Sequence, residues 1–124
     1  MAGCERGYLC TVCGGDVEEI TDSVLYLRYV MGDVDWDQLN RAPETHIRCD
    51  KTLAQFIVDA SFETVRCDGV FAKDQIDPEF VKVEEERVTS AYQRLRVLAA
   101  TGLPIAEYPL PHVIARRESG MTEA

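Results

Sequence analysis

Three stretches of the chain carry readable patterns of apolar and polar positions. Residues 23–31, Ser-Val-Leu-Tyr-Leu-Arg-Tyr-Val-Met, form a nearly unbroken apolar run rich in β-branched and aromatic types, with Arg28 as the exception. The run predicts a strand buried on most of both faces and ended by Gly32 and Asp33. The second stretch predicts a helix from Pro78 to Thr101. Asp77 is a good N-cap, Pro78 suits the first helical position and Glu79 favours the positive helix end. Val81, Val88, Ala91, Tyr92, Leu95, Leu98 and Ala99 recur at spacings of three and four, with Lys82, Glu85, Glu86 and Arg96 mostly elsewhere. Gly102 ends the helix, with Leu103 and Pro104 just beyond. At 1.5 Å per residue it is about 36 Å long, and its apolar face needs a partner surface. The third stretch is weaker. Asp50 caps a short helix over Lys51 to Asp59, whose Leu53, Phe56, Ile57 and Val58 supply an apolar side.

The connections follow from turn chemistry. Asp35 to Asn40 reads as a turn or a single helical turn, and Pro43 stops any helix there. Residues 63–73 read as a small hairpin, because Asp68-Gly69 between β-prone segments suits a type I′ turn. Pro104, Pro109 and Pro111 make residues 104–124 an extended tail, polar and frayed from Arg116 onward. No internal repeat or low-complexity segment interrupts the chain.

Charge narrows the functional classes. The 124 residues carry a net charge of −9. Residues 1–50 hold four arginines against ten acids, and residues 51–124 hold nine basic residues against twelve acids. Neither half has the cationic excess that phosphate neutralisation requires, so nucleic acid is a poor partner on charge. No apolar run approaches the roughly 20 residues that span a bilayer. Met1 to Cys10 contains Glu5 and no apolar block, which does not read as a signal peptide and sets the expectation of a cytoplasmic protein.

The candidate chemistry lies in the cysteines. There are five, Cys4, Cys10, Cys13, Cys49 and Cys67, an odd count that argues against a disulfide framework. Cys10-Thr-Val-Cys13 presents two thiolates from one tight turn, and Gly14 and Gly15 let backbone amides turn toward sulfur. His46-Ile-Arg-Cys49 repeats the spacing with imidazole in place of one thiolate. Together they predict one closed, structural zinc ion held by Cys10, Cys13, His46 and Cys49. Iron is the alternative metal, although rubredoxin-like sites normally use four thiolates.

The two half-sites, Cys10-Thr11-Val12-Cys13-Gly14 and His46-Ile47-Arg48-Cys49, resemble the knuckles of zinc-ribbon and rubredoxin-like proteins. In that family two knuckles and short β-hairpins clamp one metal. The resemblance covers residues 8–50 and departs from the family in the 32 residues between Cys13 and His46, longer than a compact ribbon needs. It implies a zinc-knuckle β portion, and with the predicted elements the expectation is an α+β fold: the zinc-knuckle portion over 1–50, then a short helix, a β-hairpin and one long amphipathic helix over 51–103, then the extended tail over 104–124. Because many ribbons serve transcription or translation, it also implies nucleic-acid binding as an alternative function.

Other constellations are weaker. A redox pair at Cys10 and Cys13 lacks a strand-to-helix context. Cys67 and His112 form a formal nucleophilic dyad with no surrounding motif. Cys4 or Cys67 is a possible substitute ligand. Asp33, Asp35, Asp37 and Glu44 sit at positions 1, 3, 5 and 12 of a calcium loop, but position 6, which should be Gly, is Gln38. No phosphate loop or nucleophile elbow is present, so no catalytic residue is assigned. The sequence reads as a non-catalytic, zinc-stabilised module that binds another protein or a second copy of itself.

Overall fold

The computed structural model of the chain describes residues 8–102 and 107–115. Four helices carry most of it: α1 (Val24–Met31), α2 (Trp36–Arg41), α3 (Lys51–Ala54) and α4 (Pro78–Thr101). A short helical stretch over residues 111–115 follows. The strands among the described residues are two residues long, β1 (Tyr8–Leu9) antiparallel to β2 (Asp16–Val17), with isolated bridges joining Cys10 to Glu44 and Ser23 to His46. The α+β expectation is therefore overturned, and the chain folds as helices.

The largest correction is α1. The apolar run expected as a strand is a helix, and seven of its eight residues are buried. An apolar run of this length fits a buried helix as well as a buried strand, because neither shows a polar face. The termini decide the matter. Ser23 accepts a hydrogen bond from the Tyr26 amide, and Gly32 ends the helix at φ 87°. Both act here as helix-end devices.

The expected hairpin at 63–73 is absent. Gly69 does take a positive φ of 89°, but its turn leads into a 3₁₀ turn at Lys73–Gln75, not into a strand. The backbone groups that a hairpin would pair are taken by Gln55, which is 3% exposed. Its side-chain amide donates to the carbonyls of Phe71 at 2.8 Å and Thr52 at 3.0 Å, and its Oε1 accepts from the Lys73 amide at 3.0 Å. Lys73 Nζ closes the clamp on the Gln55 carbonyl at 2.9 Å and on Glu85 at 2.7 Å.

The long helix has the expected bounds. Asp77 accepts from the Glu79 amide, and Gly102 takes φ 67°. Its stripe is spent inside the chain: Val88, Ala91, Tyr92, Leu95 and Leu98 are buried, and α4 packs on α1. Asp50 caps α3 as expected, but the helix stops at Ala54. Asp35 and Gln38 form a reciprocal capping box on α2.

The tail expected to be extended docks on this pair. The Leu110 amide donates to the Val30 carbonyl at 3.2 Å, Pro109 and Val113 are buried, and the Tyr108 ring lies 6.1 Å from that of Tyr26. Arg94 on α4 holds the carbonyls of Glu107 at 2.6 Å and Tyr108 at 3.3 Å. Residues 104–106 and 116–124 lie outside the described residues, as does Cys4. Among the described residues, no helix is long and apolar enough to cross a membrane.

Core burial makes a direct prediction. Leu95 is fully buried, whereas Val97, two positions on, is 49% exposed. Leu95→Ala is expected to lower stability by about 2–5 kcal/mol and Val97→Ala by less than about 0.5 kcal/mol in urea unfolding. Equal midpoints for the two variants would contradict the assigned orientation of α4.

Candidate metal centre

The site joins two segments far apart in the chain. Cys10 follows β1, and the turn back to β2 is closed by the Gly14 amide on the Cys10 carbonyl at 2.9 Å and the Cys10 amide on the Gly15 carbonyl at 2.8 Å. Gly14 takes a φ of 77°, which a side chain would resist. His46 and Cys49 flank a 3₁₀ turn, Ile47–Cys49, anchored by the fully buried Ile47. Two links hold the halves in register: the Thr11 amide donates to the Glu44 carbonyl at 3.0 Å, and the Thr11 and Thr45 hydroxyls share a hydrogen bond of 2.7 Å; the Val24 amide, donating to the Thr45 carbonyl at 3.0 Å, ties the second half to α1.

These contacts bring Sγ of Cys10, Cys13 and Cys49 and a ring nitrogen of His46 within 4.8 Å of one another, close enough to bind a metal. All four residues singled out in the sequence are in the cluster. His46 Nδ1 faces Cys13 Sγ at 3.3 Å and Cys49 Sγ at 3.9 Å. Nε2 points away and meets the Asp16 carbonyl at 2.7 Å. That bond places the ring proton on Nε2 and leaves the Nδ1 lone pair aimed at the sulfurs, the outer-shell arrangement that orients a ligating histidine.

Backbone amides supply the rest of the outer shell. Val12, Cys13 and His46 donate to Cys10 Sγ at 3.4–3.5 Å, and Gly15 donates to Cys13 Sγ at 3.4 Å. Burial alone would push the Cys10 thiol up, but these three amides bring it down to about 6. Cys49 moves the other way, to about 11, through burial and the neighbouring sulfurs of Cys10 and Cys13. Several thiolates cannot share this volume without a cation between them. A Cβ on Gly15 would lie at ordinary contact distance, 3.5 Å from Cys13 Sγ and 3.7 Å from His46 Cε1, so the chain at Gly15 runs directly beside the site.

A buried carboxylate ties the centre to α1. Glu44, 2% exposed, takes the Ser23 hydroxyl between its two oxygens at 2.8 and 2.9 Å. Burial raises its pKa, while the Ser23 hydroxyl and the amides of Thr45 and Leu25 hold it back. Sequence reasoning missed Ser23 and Asp16. Asp16 acts through its carbonyl, which carries no side-chain signal. Glu44 was visible only in a calcium pattern whose members the structure employs elsewhere. Asp33 binds Arg87 through both oxygens at 3.1 and 3.2 Å, and Asp35 caps α2. Neither Cys67 nor His112 belongs to the metal cluster. Cys67 Sγ contacts the neighbouring Asp68 carbonyl at 3.7 Å, and His112 lies exposed on the short helical stretch.

Near pH 7, Cys10 is already a thiolate and Cys49 keeps its proton. Metal loading must expel that proton, so affinity rises with pH by about tenfold or more per unit between about 7 and 9. Below about 6, Cys10 also takes a proton and the dependence steepens. Chelator competition across this range checks the slope, and a flat profile would remove Cys49 from the ligand set.

No family model matches this chain, and neither a curated protein nor a solved structure matches it.

Proposed function

We propose that Cys10, Cys13, His46 and Cys49 hold one structural zinc ion, and that the zinc-bearing chain is a non-catalytic module that binds another protein. The observation that carries the metal half is the convergence of three thiols and one correctly oriented imidazole within 4.8 Å. Zinc–sulfur bonds of about 2.3 Å and zinc–nitrogen bonds of about 2.0 Å put tetrahedral N···S separations at about 3.5 Å. The observed 3.3 and 3.9 Å bracket that value. Three thiolates with one imidazole suit zinc, whereas mononuclear iron sites of this kind favour four thiolates. Four protein ligands complete the tetrahedron and leave no position for substrate, which supports a structural role. The zinc-ribbon likeness is carried by the two knuckles alone, set here among helices. A reducing, cytoplasmic setting suits free thiols.

The metal's work is local. Across residues 9–19, Cys10 and Val17 are the buried ones. That segment has too little apolar surface to dock alone, and zinc pins it to the start of α1. The interaction half is supported by exposed apolar residues on the knuckle, Leu9 at 62% and Val12 at 64% exposure, and by others further along the chain, Phe71 and Phe80 among them.

Metal analysis tests the centre. Native protein is expected to carry about one zinc per chain, and Cys13→Ser and His46→Ala to lose it. Metal retained at full content in either variant would sink the ligand set. Chelation is expected to release amide protection over residues 8–19 while α1 and α4 keep theirs in hydrogen exchange. Simultaneous loss of protection throughout would show that zinc supports the whole fold. Light scattering after size exclusion, combined with pull-downs, tests the module. A clean monomer without any interactor would count against it.

A further inference from the structure

We propose that a cleft between α3 and the first half of α4 docks a basic amphipathic segment of a partner protein. The inference rests on the interaction-module reading and gives it a surface and a chemistry. The cleft, about 270 Å³, has Leu53, Phe56 and Ile76 among its lining residues. Phe71 and Phe80 also line it, and they are 64% and 50% exposed. Val83, 60% exposed, stands three residues after Phe80 and four before Arg87, another lining residue, and so extends the same helix face. The core does not need these side chains. The stripe of α4 that packs on α1 is a different one, further along the helix. Large apolar side chains gathered around a cleft and left in water mark a docking site.

Charge selects the occupant. The two cations at the cleft are already engaged: Arg87 with Asp33 and Glu84, and Arg28 with Asp33 and Asp50 at 3.9 and 3.8 Å. Along residues 73–87, six carboxylates stand against three cations, Lys73, Lys82 and Arg87. Glu84 and Glu85 are met by Arg87 at 2.9 Å and Lys73 at 2.7 Å, and Asp74, Asp77, Glu79 and Glu86 keep the neighbouring surface net negative. A second copy would bring the same negative margin and a further net charge of −9. Nucleic acid is repelled by the same sign. The complementary occupant is a segment with large apolar anchors at helical spacing and Lys or Arg beside them.

The test is a displayed random-peptide selection against the zinc-loaded full chain, followed by fluorescence anisotropy on the winning peptides. The expected winners are rich in Lys and Arg and carry large apolar residues three or four apart. They should bind Phe71→Ala/Phe80→Ala about tenfold or more weakly. A charge variant, Glu79→Lys/Glu86→Lys, should also weaken them, and added salt should lower affinity for the wild type. All four positions are exposed, so unchanged circular dichroism and zinc content confirm that the variants fold. Winners that bind Phe71→Ala/Phe80→Ala as well as wild type would overturn the cleft and leave the module reading intact. Acidic winners would overturn the proposed chemistry. A wild-type dimer dissolved by Phe71→Ala/Phe80→Ala would assign the cleft to a second copy and overturn a foreign partner. An empty selection would overturn the cleft and the module together.

Discussion

Everything in this fold answers to the burial of α1. A helix with seven of eight residues buried cannot rest on one neighbour, and it has to be covered on nearly every side. α4 covers one side with the stripe from Val88 to Leu98, and the returning segment around Pro109 and Val113 covers another. The turn at Ile47 and the start of α3 join the same apolar cluster. The metal centre is built against the N-terminal end of this helix, through Ser23 and Glu44. The site inherits its rigidity from a core it does not itself contribute much to.

This order of dependence explains what was legible in the sequence. α4 has an N-cap, a proline at its first position, a stripe and a terminal glycine, and all four signals agree; its bounds were readable. The ligands were readable for a similar reason. Thiol and imidazole at matched spacing have few uses, and the chain places them together. α1 offered no contrast between faces, because its surroundings are apolar all round. Its identity lay in Ser23 and Gly32, which also suit the ends of a strand. The segment at 63–73 carried a sound turn signal at Asp68-Gly69, but local preference lost to Gln55, a residue more than ten positions away in the chain. The docking of residues 107–115 was invisible because its proline spacing describes local backbone, while the partners, Arg94 and Val30, belong to other elements.

The acidic residues are sorted by role. Some finish helices, as Asp35, Asp50 and Asp77 do by accepting amide bonds. Some neutralise arginines, as Asp22 does for Arg48 at 2.7 Å beside the metal centre, which raises the pKa of that arginine. Glu44 alone among the described acids is buried, and its carboxylate accepts from a hydroxyl and two amides. Others, among them Asp16, Glu18, Glu19, Glu63, Asp68 and Glu79, lie exposed on several parts of the chain. The net charge of −9 is thus carried almost entirely at the surface, with one buried carboxylate among the described acids.

The grip of Arg94 on residues 107 and 108 has a consequence for how this chain tolerates change. The guanidinium holds main-chain carbonyls, which every amino acid possesses. The side chain at position 107 is therefore free to drift, while the arginine is not: lysine would bring a single ammonium where a planar fork spans two acceptors. Variation and constraint fall on opposite sides of one contact. The main chain at residues 107 and 108 is thus fastened by one side chain of the long helix, thirteen positions before it, whatever side chain position 107 carries.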